Sequence, residues 1–238
     1  MLQTGTVAQR VPIAKTAIQK RATELFAGAS RFVLFYGGSR SGKTFLSVFL
    51  IVLRAVMVPG SRHLIARHRF NHAKTSIWYD TLPKVLSTCF PGLQYDENKT
   101  DWFIEFPNGS QIWIAGLDDK KRTEKILGNE YATIYLNEAS QISYEAFNIV
   151  VTRLAQKVIV PGTNKELRLK FLIDCNPPEK THWTFQLFFM FRDPVTREPK
   201  NAEDYVQIKL NPKDNTQNIG ADYLAILATL PARARRRF

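Results

Sequence analysis

Residues 37–44 read Gly-Gly-Ser-Arg-Ser-Gly-Lys-Thr and match the spacing G-x-x-x-x-G-K-[ST] through Gly37, Gly42, Lys43 and Thr44. That spacing suits the gripping of a polyphosphate. Glycines let the backbone curl until the N–H groups of Gly37, Gly38, Ser39, Arg40, Ser41 and Gly42 converge on phosphate oxygens. A helix opening at Lys43 would aim its positive end at the same anion. Lys43 would then reach the β- and γ-phosphates of a nucleotide, and the Thr44 hydroxyl would ligate Mg2+. A glycine turn followed by chance by Lys-Thr is the bland alternative, and the flanking sequence argues against it.

A second constellation narrows the chemistry. The run "ATIYLNE" ends in Asn137 and Glu138, and a carboxylate at the tip of a buried parallel strand faces the ligand crevice. There it can orient and deprotonate a water that attacks the γ-phosphate, which marks ATPases that hydrolyse ATP to do work. A GTPase would carry Asn-Lys-x-Asp to read its base, and the sequence has no such motif. A small-molecule kinase would need an arginine-rich lid, which is not visible either. Asn137 departs from the aspartate usual before the glutamate: its amide oxygen can accept from a metal-bound water but brings no charge. A third polar residue, Asn176, ends "FLIDCNPP". It would either sense the γ-phosphate beside Glu138 or simply end its strand in an Asn-Pro turn.

These residues need a scaffold. "FVLFY" (32–36) is a continuous apolar run, the pattern of a strand buried on both faces. A long apolar helix follows over 43–57, ended by Pro59-Gly60. Further strands are predicted at 63–67, from 132, at 167–178 and at 204–210. Helices are predicted around Thr16–Phe26, over most of 72–90 and at 221–230. Asn108-Gly109, between two aromatic-rich runs in 101–116, is a hairpin signal. Strands alternating with helices predict an α/β fold: a mainly parallel sheet flanked by helices, of the P-loop NTPase kind, with an antiparallel hairpin at one edge. One domain is expected, with a polar extension over 1–30, a core over 31–215 and a lid or linker from 216 to 238.

The bulk properties agree. The 238 residues suffice for one substantial core. Lys and Arg number 33 against 21 Asp and Glu, a formal net charge of +12, and a domain this basic meets a polyanion, nucleic acid first. Cys89 and Cys175 stand far apart, so neither a disulfide framework nor a zinc site is indicated; both read as reduced core residues. No segment reads as a signal peptide or a membrane span.

Together "YGGSRSGKT", "ARHRFNHAKTSIWYD", "FPNGSQIWIAGLDD", "LGNEYATIYLNEAS", "FLIDCNPP" and "PKDNTQNIGADYLAILATLPARARRRF" give a chain that resembles, along nearly its whole length, the ATPase domain of bacteriophage terminase large subunits. The resemblance implies a RecA-like ATPase core, with ATP and Mg2+ as substrate and cofactor, that moves double-stranded DNA into a procapsid. It implies phosphate and metal roles for Lys43 and Thr44, catalysis by Glu138, coupling through Asn176 and tolerance of Asn137 in the metal shell. Arg40, inside the loop, would stabilise charge on the transferring phosphoryl group in cis, unless it points to solvent. Gln19 lies where similar proteins read adenine, although it can also be one polar residue of a helix. Arg122, in "LDDKKRTEK", is the candidate arginine supplied to a neighbour's site; the same basic run would also suit DNA or solvent. Arg62, Arg67, Arg69 and Lys74 are a second basic group for phosphate contacts.

Family members work as homo-oligomeric rings, here a pentamer by resemblance, with a portal protein and a small terminase subunit as partners. The expected location is the host cell cytoplasm and, transiently, the procapsid portal. Full-length members continue into a nuclease domain whose carboxylate constellation is not apparent before Phe238, so DNA cleavage is not expected. Two alternatives stay open: a helicase-like translocase, which would need a second RecA-like domain, and a module that binds DNA and uses ATP only as a clamp. ATP turnover with and without duplex DNA separates them.

Overall fold

The structure, a computed structural model, describes residues 15–118, 124, 126–219, 222, 225, 226, 229 and 231. Eight strands form one sheet: β1 (Phe32–Tyr36), β2 (Arg62–Arg67), β3 (Asp96–Asn98), β4 (Phe103–Glu105), β5 (Gln111–Gly116), β6 (Thr133–Asn137), β7 (Lys170–Cys175) and β8 (Tyr205–Lys209). Their spatial order is β3-β4-β5-β2-β6-β7-β1-β8. The six strands from β5 to β8 in that order are parallel, and β3 and β4 add an antiparallel edge. The predicted hairpin is therefore β4–β5, turned through Gly109 at φ 75°. The third edge strand, β3, is the polar Asp-Glu-Asn and carries no strand signal.

Every residue of β6 and of β7 is buried, as the apolar runs required. Two cores form, one on each face. Helix α1 (Ala17–Ala27) and helix α2 (Lys43–Met57) cover one face together with α3 (Phe70–Ala73) and α4 (Leu82–Cys89). Helix α5 (Tyr144–Val151) and helix α6 (Trp183–Phe188) cover the other. Helix α1 starts with a capping box, in which Thr16 Oγ1 accepts from the Gln19 N–H and the Gln19 side chain accepts from the Thr16 N–H. No helix among the described residues is long and apolar enough to cross a membrane.

The predicted helix over 72–90 runs from Phe70 to Cys89, with a π-helical stretch at Lys74–Thr81. Pro83 sits in the first turn of α4. Its missing N–H and the bulk of its ring against the preceding turn are accommodated by the wider winding just upstream. The sequence pattern signals the helix but not this local change of pitch. The helix predicted at 221–230 lies largely outside the described residues.

Candidate active site

The sheet order decides which residues meet. β7 lies between β1 and β6, so the loop after β1 and the acid after β6 face each other across the end of β7. In register, Tyr36 pairs with Cys175 and Phe35 with Asp174, while Leu136 pairs with Ile173. Residues 37–44, Glu138 and Asn176 thus share one crevice at the carboxyl ends of parallel strands.

The loop leaves β1 through Gly37, whose φ is 143°. A Cβ there would lie 1.9 Å from the Leu210 carbonyl oxygen, so only glycine fits. Gly42, at φ 82°, is the N-cap of α2, and a Cβ on it would meet Gln19 Nε2 at 2.6 Å. Lys43 is buried. Its ammonium donates to the carbonyls of Gly37 and Gly38, each at 2.8 Å, and to Ser41 Oγ at 3.2 Å. Burial lowers the Lys43 pKa, while Asp174 and then Glu138 pull it back up. Ser39 and Arg40 are exposed, and Arg40 holds a left-handed backbone at φ 59°.

Glu138 follows β6 in the left-handed region, at φ 56° and ψ 50°, a conformation that costs a non-glycine residue of order 1 kcal/mol and clusters at functional sites. Its carboxyl is half-buried. Burial, then the charge of Asp174, raises its pKa; Arg67 and Lys43 act in the opposite direction. Arg67 ends β2 directly across from Asn137 and donates to Ser76 Oγ at 2.7 Å.

Between loop and glutamate stands a residue that the motifs did not single out. Asp174, in β7, is 1% exposed. Its carboxylate accepts from Thr44 Oγ1 (3.2 Å), Tyr135 Oη (2.8 Å), Asn137 Nδ2 (3.0 Å) and the Glu138 backbone N–H (2.7 Å). A carboxylate only accepts, so the Asn137 amide must turn its nitrogen toward it. Tyr135 is fully buried beside this charge; burial and then Asp174 hold its pKa far above 10, so it stays a donor. A lone acid in "FLIDC", a run otherwise reading as buried on both faces, was the available signal.

Asn176 is half-buried one position beyond β7, next to Cys175, whose carbonyl accepts from the Gly37 N–H at 3.2 Å. Gln19 is buried against the loop, with Oε1 on the Thr16 N–H (3.0 Å) and Nε2 on Asn215 Oδ1 (3.3 Å). Asn215 in turn donates to the Arg40 carbonyl at 2.9 Å, tying α1, the loop and the segment after β8 together. Nothing in the polar stretch around Asn215 marks it in advance. Arg122 lies outside the described residues. Arg62 and Arg67 occupy opposite ends of β2, five steps of about 3.3 Å apart, so the basic group expected over 62–74 is split between the two ends of the sheet. Lys74 stands over the Trp102 ring, 4.6 Å from its centre.

The sequence pattern of the family described as phage terminase large subunit matches residues 29–222. The chain belongs to that family. Solved structures share the fold of this terminase at low identity. The large terminase of a thermophilic bacteriophage, solved with ATP-gamma-S, aligns with a TM-score of 0.69 at 15% identity, over 94% of this chain and 51% of that one; it has also been solved with ADP. The large terminase ATPase domain of Thermus phage P74-26 gives 0.62 at 12%, over 94% and 92%. The Phi-28 gp11 DNA packaging motor gives 0.50 at 12%, over 85% and 65%. The chain spans about half the length of the thermophilic phage terminase. No curated protein matches. The expected α/β architecture with a mostly parallel sheet and an antiparallel edge is that of terminase ATPase domains.

Proposed function

We propose that this terminase chain is an ATP hydrolase that drives double-stranded DNA into a procapsid. The observation that carries the reading is the junction of β1 and α2. There the motif loop, with Lys43 drawn over it, faces a strand-tip glutamate across one intervening strand.

In this reading the loop N–H groups and the first turn of α2 hold the β- and γ-phosphates. The Lys43 ammonium exchanges its carbonyl contacts for phosphate oxygens. Thr44 and the acid-and-amide group beside it fit a hard divalent cation, which prefers hydroxyl and carboxylate oxygens. When bound with the nucleotide, Mg2+ neutralises charge on the β- and γ-oxygens. Asn137, whose amide nitrogen faces Asp174 and Thr44, would reach that shell with its oxygen only by turning that amide over. The Glu138 carboxylate takes the proton of the attacking water, and its raised pKa suits a base working near neutral pH. Arg40 leans toward the γ-phosphate in cis, and Asn176 reports its presence to the segment beyond β7. Gln19 reads adenine by exchanging its contact with Asn215.

Support for the work done comes from the family, from the net charge of +12 and from the likeness to a packaging motor. The subunits would act as a pentameric ring, with Arg122 reaching a neighbour's site, the portal protein and the small subunit as partners, and the cytoplasm of the host as the place of action. ATP turnover by the purified chain, with and without duplex DNA, tests the proposal. Hydrolysis stimulated by DNA, more at low than at high salt, is the expected result. ATP binding with no hydrolysis in either condition would favour a clamp.

A further inference from the structure

Asp174 has more charge than its structural duties require. Its four donors are a threonine hydroxyl, a tyrosine hydroxyl, an asparagine amide and a backbone N–H, all neutral. An amide oxygen would satisfy the Glu138 N–H as well, and the two hydroxyls can rotate. Burying a carboxylate is costly unless a cation compensates it. Lys43 feels the charge of Asp174 but gives its ammonium hydrogen bonds to loop carbonyls and Ser41, not to the carboxylate. The carboxylate is instead turned to Thr44 Oγ1, the hydroxyl at the metal position. Meanwhile Asn137, where an acid would be expected, offers the same carboxylate its N–H2. The two strands have in effect exchanged an acid for an amide at neighbouring tips.

We propose that Asp174 supplies, from β7, the negative charge of the Mg2+ shell that Asn137 on β6 cannot. Asn137 and Tyr135 are positioning residues that hold this carboxylate toward Thr44. The assignment rests on residues 37–44 being a nucleotide site.

The test measures the affinity for ATP-gamma-S in Mg2+ and in EDTA. It compares the parent, Asp174→Asn, and the double exchange Asn137→Asp with Asp174→Asn. In Asp174→Asn the amide oxygen can accept from the Glu138 N–H and the Asn137 N–H2 while its nitrogen faces the Thr44 and Tyr135 hydroxyls, which can rotate to accept, so charge is the main loss. The parent should bind more tightly in Mg2+ than in EDTA. Asp174→Asn should lose about tenfold or more of that gain with its EDTA affinity unchanged, and the double exchange should restore the gain. A full Mg2+ gain retained by Asp174→Asn overturns the proposal, as does an equal loss in both buffers. Should Asp174→Asn fail to fold, the double exchange decides: a parental Mg2+ gain supports the proposal, and affinity equal to that in EDTA overturns it. A parent that binds ATP-gamma-S in neither buffer, or whose binding Lys43→Ala leaves unchanged, would overturn the loop reading and this assignment with it.

Discussion

At the residue scale, the loop at 37–44 and the strand-tip Glu138 are placed by type and spacing alone, because a glycine-spaced motif and an acid closing an apolar run leave short, ordered signatures. Asp174 is not, since one acid in an apolar run has no spacing to betray it, and its meaning appears only when β7 is seen between β1 and β6. Tyr135 is hidden for the same reason: its hydroxyl donates to Asp174 at 2.8 Å and accepts from Asn137 at 3.0 Å. Tyr135→Phe should therefore cost about 2 kcal/mol, or roughly 4–8 °C in melting temperature, with the aromatic core kept. A melting curve checks this, and an unchanged midpoint would mean that the phenol does not support the carboxylate. His63 in β2 is fully buried, and its Nε2 lies 2.9 Å from Ser61 Oγ. Burial, helped by Arg54, holds its pKa well below 6.5. The unfolded chain binds a proton there below about pH 6.5 and the folded chain does not, so stability is whole above that pH. It declines as pH falls, by up to about 1.4 kcal/mol per unit. His63→Leu should flatten that decline in melts followed from neutral to mildly acidic pH; an unaltered slope would contradict it.

At the scale of elements, buried strands and the long helix α2 are legible because parallel strands covered on both faces must be apolar throughout. β3 escapes because it is an exposed polar edge, and the order of strands escapes because hydrophobic runs do not say which neighbours they pair with. Arg62 misleads for a related reason: five residues along an extended strand set it at the opposite end of β2 from Arg67. The junction of β1 and α2 makes a sharper demand than its motif alone conveys, since Gly37 is pressed against the end of β8 by the Leu210 carbonyl. Gly37→Ala should cost on the order of 2 kcal/mol or more and abolish ATP binding, because Leu210 or the loop must move. Titration with ATP and a melting curve check both effects; parental values in the two would show that the loop tolerates a side chain there.

At the scale of the whole molecule, one sheet separates two cores and gathers the loop, Asp174 and Glu138 at the carboxyl ends of its central strands, so the proposed ATP site is drawn from one chain. What a ring would add lies in Arg122 and in the surface offered to DNA. Arg122→Ala should lower turnover by about a thousandfold in assembled rings and leave the ATP affinity of single chains unchanged; equal losses in both states would place that arginine in its own chain's fold or site. The most direct test of a phosphate-gripping loop paired with a water-activating glutamate is a filter-retention experiment on Glu138→Gln with γ-labelled ATP and Mg2+. The account predicts that label stays on the protein, uncleaved, long after the parent has released it as phosphate. Label that never binds, or that leaves as phosphate at the parental rate, would contradict it.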